Sequence, residues 1–476
     1  MRLGDHVLAL SGGPSPDRAL IGNKAASLAD MAALGLPVPP AFVVTTQACR
    51  AYLEGGRLPA GLEAAVDAGI AWVEQATGRT FGSGPSPLFV SVRSGAPVSM
   101  PGMMDTVLNL GMCPEAAAAL ARETGDSGFA ADTFARFEKQ FAEIVGHAPP
   151  ADPRVQFLQA VAAVFQSWNS RRARRWREHQ GIAHDLGTAV TVQAMVFGNR
   201  CELSGTGVLF SRNPLSGERV PYGEWLPRAQ GEDVVSGRHT PLPLSALREA
   251  QPAVAAALLD AAAILERAGG DAQDIEFTVE TGRLWLLQTR TAKRSPRAAA
   301  RMAVEMATEG LIDRRTAVGR VSAGQLEALL RPALADDSVA DATILARGEA
   351  ASPGAGQGVL VLDSDEAERR AAAGELVVLA RPTTSPEDVH GMIAAAAILT
   401  ELGGSTSHAA VVGRSLGKPV IVGCGAGSLQ ALGGRMVTAD GGPGVVYEGL
   451  LPLRSPVDDP VVATLAAWRA ALAETV

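Results

Sequence analysis

Between about residues 346 and 450, short β-branched runs alternate with short helical stretches. No other feature restricts the fold of this chain as much. ELVVLA (375–380), AAAAILT (394–400), PVIVG (419–423) and RMVTAD (435–440) predict strands. One helix start between them is marked by Ser385 as N-cap, Pro386 at the first position, and Glu387 and Asp388 in the first turn. A second follows the strand ending near Thr400, opens at His408 after GGSTS, and ends near Gly417. This order predicts a compact α/β domain opening with ASPGAGQGVLVL. The chain has 476 residues, more than one ordinary core covers, so other domains must accompany it.

Upstream, residues from about 20 to 290 have an α+β texture. AFVVTT (41–46), LFVSVR (88–93), TAVTVQAMVFG (188–198) and TGVLFSRNP (206–214) predict strands, and 114–145 and 154–180 carry helical periodicity. DIEFTVETGRLWLLQTR (274–290) predicts a hairpin turning at Thr281-Gly282. Over 293–345, Met302, Met306, Leu311, Val318, Val321, Leu326 and Leu330 are spaced for packed helices, a connector long enough to let two domains move. The expected division is 1–292, connector 293–345, 346–450 and a tail over 451–476 that can form one amphipathic helix. The class is α+β and α/β, multidomain.

Net charge of −8 argues against a nucleic-acid or anionic-membrane partner. The basic run RRARRWR (171–177) reads as a solvated helix face. Four cysteines without CxxC spacing fit free thiols rather than disulfides or a zinc site. No apolar run reaches the roughly 18 residues of a membrane span, and the start lacks a signal pattern, so a cytoplasmic protein is expected.

Several residues could carry chemistry. A histidine in the first turn of a helix meets free N–H groups and the positive end of the helix dipole, which disfavour imidazolium and favour an anion. With Thr406 or Ser407 as N-cap, His408 is suited to carrying a phosphoryl group; a plain capping role is the competing reading. Lys24 follows a glycine turn in GNKAASL without Walker A spacing, and a surface lysine is the alternative. In SVRSGAPVSMPGMMDT a strand delivers Arg93 into a methionine-rich loop, suited to a mobile cover or to loop packing. Asp274 and Glu276 share one strand face, as do Gln288 and Arg290. A two-residue turn would place Glu276 opposite Leu287. One extra residue, such as a bulge at Gly282, would bring Asp274 to Arg290 and Glu276 to Gln288. Such a set could hold Mg²⁺ against a polyphosphate or form a surface ion-pair cluster.

GNKAASLADM, SVRSGAPVSMPGMMDTVLNLGM, VFQSWNS, GTAVTVQAMVFGN, SGTGVLFSRNPLSGE, YGEWLPRAQGEDVVSGRHTP, QDIEFT, LQTRTAKR, TSPEDVHGM and GGSTSHAAVVGRSLGKP, in this order, resemble pyruvate phosphate dikinases over nearly the whole chain. The SGAPVSMPGMMDT loop is of the dikinase type, where phosphoenolpyruvate synthases and rifampin phosphotransferases carry an acidic version. The resemblance implies an ATP-grasp nucleotide-binding domain (1–292) and a swivelling β/β/α phosphohistidine domain (346–450). It implies that ATP and inorganic phosphate charge His408, releasing AMP and pyrophosphate. Lys24, Arg93, Asp274, Glu276, Gln288 and Arg290 then match the nucleotide and Mg²⁺ site. Lys24, Arg93 and Arg290 would neutralise phosphate; Glu276, with Asp274 and Gln288, would hold the metal; Gln288 would also position phosphate. His408, Arg93 and Gln288 would be the catalytic set, and the hairpin should contain the extra residue.

Departures accompany the match. The family's phosphoenolpyruvate/pyruvate-binding barrel has no counterpart here, and the segment around GHAPPADP (146–153) is shorter than usual. Ser405 stands where methionine is frequent, and Thr406 matches the residue phosphorylated in regulated plant enzymes. The expected acceptor site therefore lies on a separate barrel subunit or belongs to another small molecule, with pyruvate the acceptor by analogy and a monomer favoured. Two alternatives remain: a nucleotide-binding regulatory module without turnover, and a phosphotransferase acting on a different small molecule.

Overall fold

The computed structural model describes residues 1–98, 100, 102–235, 240–322, 325, 333–334, 339, 342–454 and 460–473. Leu326, Leu330, Pro101 and part of the GEDVVSGRHTP motif lie outside them. The chain is a multidomain protein of mixed helix and sheet. It divides into two compact units, Met1–Gly205 with Phe277–Thr289, and Thr206–Glu276 with Arg290–Val476.

The first unit is built on a six-stranded antiparallel sheet, ordered Arg2–Gly4, Val7–Ala9, Ala41–Val44, Ala189–Ala194, Val90–Gly95, Thr106–Leu110. AVTVQA, buried at all six positions, occupies an interior place between AFVV and VSVRSG, with Thr191 and Gln193 on one face and Val190 and Val192 on the other. Register sets Arg93 between Thr191 and Thr106. Helices Leu62–Thr77, Ser127–Val145 and Pro153–Ser167 supply apolar faces to the core of Phe42, Val92, Val192, Phe137, Phe157 and Phe165. The basic run forms helix Arg171–Gln180, exposing Arg171, Arg174 and Arg175 while Arg177 is buried 4.0 Å over the Trp168 ring. The solvated-face reading therefore holds for three of its arginines.

In the second unit an eight-stranded mixed sheet runs Ile344–Arg347, Val445–Glu448, Met436–Asp440, Ala355–Val361, Val377–Arg381, Ala397–Thr400, Val420–Val422, Glu349–Ser352. The four strands from Ala355–Val361 to Val420–Val422 are parallel. Their interiors, Leu360, Val378, Leu399 and Ile421, are fully buried, as near-continuous apolar runs in a parallel sheet should be. Because Arg381 and Thr400 are register partners on parallel strands, the segments leaving them emerge side by side. That places the turn holding Thr384 next to the loop holding His408. Helices Pro296–Thr308 and Arg314–Gly319 fall in the expected connector, and helix Pro460–Ala473 in the tail. Among the described residues, no helix is long and apolar enough to cross a membrane.

A five-stranded sheet is ordered Leu242–Pro243, Tyr222–Pro227, Gly205–Phe210, Gln273–Glu280, Arg283–Thr291. Its last two strands are the hairpin through which the chain passes between units. The turn is Thr281-Gly282, both left-handed at φ 51° and 76°. It is a two-residue turn, so the extra residue expected at Gly282 is not there. Paired left-handed residues match the right-handed twist of the strands. Thr281 is held in this uncommon conformation by a bond from its N–H to Ser204 Oγ at 3.0 Å, and Gly282 donates to Leu203 O at 2.9 Å.

Candidate functional site

In the first unit the glycine turn of GNK interrupts helix Arg18–Ala33 at Gly22, with φ 73° and ψ 162°. A β-carbon there would stand 1.8 Å from the carbonyl oxygen of Gly95, so only glycine permits this approach. Asn23 completes the junction, its N–H donating to Ala96 O at 3.0 Å and its Nδ2 to Pro97 O at 2.6 Å. Lys24, in the turn that follows, is thereby held beside the loop that Arg93 leads into. Arg93 Nη1 donates to Leu287 O at 3.3 Å. One turn beyond Lys24, Ser27 Oγ donates to Thr289 O at 2.7 Å and accepts from Thr289 N at 2.9 Å. Lys24, Arg93 and the strand segment bearing Gln288 are thus drawn into one neighbourhood.

In the second unit Arg290 Nε donates to Asp274 Oδ2 at 2.7 Å. Asp274 and Arg290 meet despite the shorter turn. Burial raises the Asp274 pKa against the opposing pull of Arg290, while Arg290 is held above its ordinary value by Asp274 first and Glu276 after it. Asp274 Oδ1 is buried without a hydrogen-bond partner. Two carboxylates, one with a free buried oxygen, are the hard donors that Mg²⁺ takes. The seven expected site residues fall into two groups: Lys24, Arg93 and Gln288 in the first unit, and Asp274, Glu276, Arg290 and His408 in the second.

His408 opens helix His408–Ser415, with Ser407 as N-cap. Its Nδ1 lies 3.1 Å from Thr384 Oγ1, and its Nε2 is buried with no hydrogen-bond partner. Burial lowers the ring's pKa from 6.5 to about 4, opposed only by the charge of Asp388. The imidazole is therefore neutral at pH 7. The Thr384 hydroxyl can accept Nδ1–H or donate to Nδ1; in the first arrangement the lone pair is on Nε2. A neutral, partly enclosed ring with one free basic nitrogen can act as a nucleophile.

The loop before it is fastened by residues that sequence reasoning did not single out. Ser405 Oγ donates to Glu224 Oε1 at 2.8 Å, and Thr406 Oγ1 donates to Glu224 Oε2. Tyr222 Oη donates to Glu349 at 2.9 Å and also meets the Ser405 hydroxyl. Burial raises the Glu224 pKa, partly offset by the hydroxyls of Thr406 and Ser405. Arg414, wholly buried, donates Nη1 to Ser405 O at 2.8 Å and Ala351 O at 3.0 Å; burial lowers its pKa to about 10. Glu224 lay within the YGEWLP motif, but nothing in the sequence pairs that strand with GGSTS. The signal available was indirect: adjacent buried hydroxyls need an acceptor.

The family model described as "Pyruvate phosphate dikinase, AMP/ATP-binding domain" matches residues 18–68 and 57–255, and "PEP-utilising enzyme, mobile domain" matches 374–444. Lys24, Arg93 and Glu224 fall in the first match and His408 in the second, while the hairpin falls in neither. Pyruvate, phosphate dikinase 2 of Zea mays is 43% identical, over 94% of this chain and 58% of its own. Pyruvate, phosphate dikinase of Rhizobium meliloti (strain 1021) is 42% identical, over 93% of this chain and 57% of its own. Pyruvate, phosphate dikinase 1, chloroplastic, of Arabidopsis thaliana is 39% identical, over 96% of this chain and 53% of its own. The chain spans a little over half the length of these relatives.

Proposed function

Because this chain belongs to the pyruvate phosphate dikinase family, we propose that it transfers phosphoryl groups from ATP to His408. Residues 1–292 act as an ATP-grasp nucleotide-binding domain. Residues 346–450 act as a swivelling phosphohistidine domain, with 293–345 as connector. The Nε2 lone pair of His408 attacks the β-phosphorus of ATP, and the bond from that phosphorus to the oxygen retained by AMP breaks. Inorganic phosphate then attacks the γ-phosphorus, pyrophosphate leaves, and one phosphoryl group remains on His408. It passes next to an acceptor, pyruvate by analogy with the relatives' names, at a site outside the two matched segments.

Lys24, Arg93 and Arg290 neutralise the charge of the triphosphate, and Gln288 positions a phosphate. Asp274 and Glu276, together with Gln288, are the residues that would hold Mg²⁺; when bound, that ion would draw charge from the phosphate oxygens of the nucleotide. The observation that carries the reading is His408 itself: neutral by burial, turned by Thr384, with Nε2 unpartnered. A cytoplasmic or organellar setting is compatible with it.

The test uses ATP labelled at the β-phosphate, Mg²⁺ and inorganic phosphate, following acid-labile label on the protein and release of AMP. Label is expected on the parent chain and not on His408→Ala, which still binds nucleotide. Tight ATP binding without label would overturn the reading in favour of a nucleotide-binding regulatory module.

A further inference from the structure

Away from this chemistry, the second unit carries three metal-ligating side chains that the reaction does not use. Asp365 and Glu368 stand three residues apart on helix Ser364–Ala372, so they share one face. His390 is on helix Val389–Ala394. The two helices approach closely because residue 391 is glycine: a β-carbon there would lie 2.7 Å from the Ser364 backbone. Their starts are tied together by Ser364 Oγ donating to Asp388 Oδ1 at 2.7 Å, and Asp388 also accepts from Ser385 N at 2.8 Å.

This packing brings one nitrogen and two carboxylate oxygens within 4.8 Å of one another. His390 Nε2 is 2.9 Å from Asp365 Oδ1, yet it is buried with no hydrogen bond. Among the described residues neither Asp365 nor Glu368 makes an ion pair with lysine or arginine. Two carboxylates and an imidazole thus converge, and the ring of His390, when protonated, is the one group of the cluster that can balance the carboxylates.

We propose that Asp365, Glu368 and His390 bind a divalent first-row transition-metal ion. An imidazole with two carboxylates suits zinc, cobalt or nickel better than magnesium or calcium, which prefer oxygen alone. Bonds of about 2.1 Å at tetrahedral angles need donors about 3.4 Å apart, a spacing that small rotations of the exposed carboxylates supply. Three protein ligands leave a coordination position for water. The bound ion fastens helix Val389–Ala394 to helix Ser364–Ala372, and with them the turn that begins at Thr384. The proposal does not rest on the phosphotransfer reading.

The test takes the full chain freed of metal by chelation, titrated with Co²⁺ by visible absorption and with Zn²⁺ by calorimetry, with Mg²⁺ in parallel. One equivalent of Co²⁺ and of Zn²⁺ should bind to the parent and to His408→Ala. Affinity should fall more than about tenfold in His390→Ala. Because Asp365 and Glu368 are exposed, the double variant D365N/E368Q keeps the fold and should show the same loss. Binding lost in His408→Ala but kept in His390→Ala and the double variant would overturn the proposal. So would the absence of any Co²⁺ or Zn²⁺ equivalent, or Mg²⁺ binding as tightly without need of His390.

Discussion

Lowering the pH towards 4 should remove a stabilising contribution that His408 alone supplies. In the folded chain burial lowers its pKa from the ordinary 6.5 to about 4. Below pH 6.5 the unfolded chain therefore takes up a proton that the folded chain refuses. The contribution is complete above pH 6.5 and is lost as the pH falls through about 4. Integrated over that window it amounts to about 3 kcal/mol. Replacing His408 by Asn removes the titrating group while keeping a polar side chain of similar reach. The urea midpoint of the parent should then fall more steeply than that of His408→Asn between pH 7 and 4, and the two curves should run parallel above pH 7. The same shift governs chemistry. About one ring in a thousand is protonated at pH 7, so single-turnover labelling of His408 should stay level down to about pH 5. Proton NMR of the ring should place its midpoint near 4. A midpoint near 6.5, or parallel urea curves throughout, would refute the argument from burial.

Thr384→Val removes the partner of His408 Nδ1 and frees the ring to choose its tautomer; labelling should slow by roughly 5- to 100-fold with nucleotide affinity unchanged, measured in single turnover. Glu224→Ala leaves the Ser405 and Thr406 hydroxyls buried without their acceptor, at about 2–4 kcal/mol, and the thermal midpoint should drop accordingly; an unchanged midpoint would mean the hydroxyls find other acceptors. Gly22→Ala drives a methyl group into the Gly95 carbonyl, so it should cost more than about 2 kcal/mol in a urea titration, whereas Gly35→Ala, with open space around it, should cost less.

Local chemistry was what the sequence made legible. The four strands expected across 375–440, the N-cap at Ser385, the break at Gly22 and the helix opening at His408 all follow from residues adjacent in the chain, and all are present. Ser385 even completes a reciprocal cap with Asp388. The hairpin shows where this stops. Its turn residues were identified and the expected Asp274–Arg290 pair is present, but the bulge placed at Gly282 is not, because the twist of the strands favours the paired left-handed turn at Thr281-Gly282. Glu224, Tyr222 and Arg414 were illegible for a different reason. Glu224 and Tyr222 meet Ser405 from 181 and 183 residues away and Arg414 reaches Ala351 across 63 residues; a single sequence carries no trace of such pairings. The Thr384–His408 contact is intermediate: once Arg381 and Thr400 are paired on parallel strands it follows, but the pairing has to be known first.

The chain path of the first unit has a consequence for its synthesis. Met1–Gly205 is one stretch, but Phe277–Thr289 comes only after roughly seventy intervening residues. At about 5–20 residues per second a ribosome needs several seconds to deliver that segment. Until then Arg93 has no Leu287 carbonyl, and Ser27 has neither the N–H nor the C=O of Thr289. The nascent first unit must wait half-assembled while the start of its neighbour is translated, so a stall or cleavage before Thr289 would leave a fragment without the bonds that Leu287 and Thr289 supply.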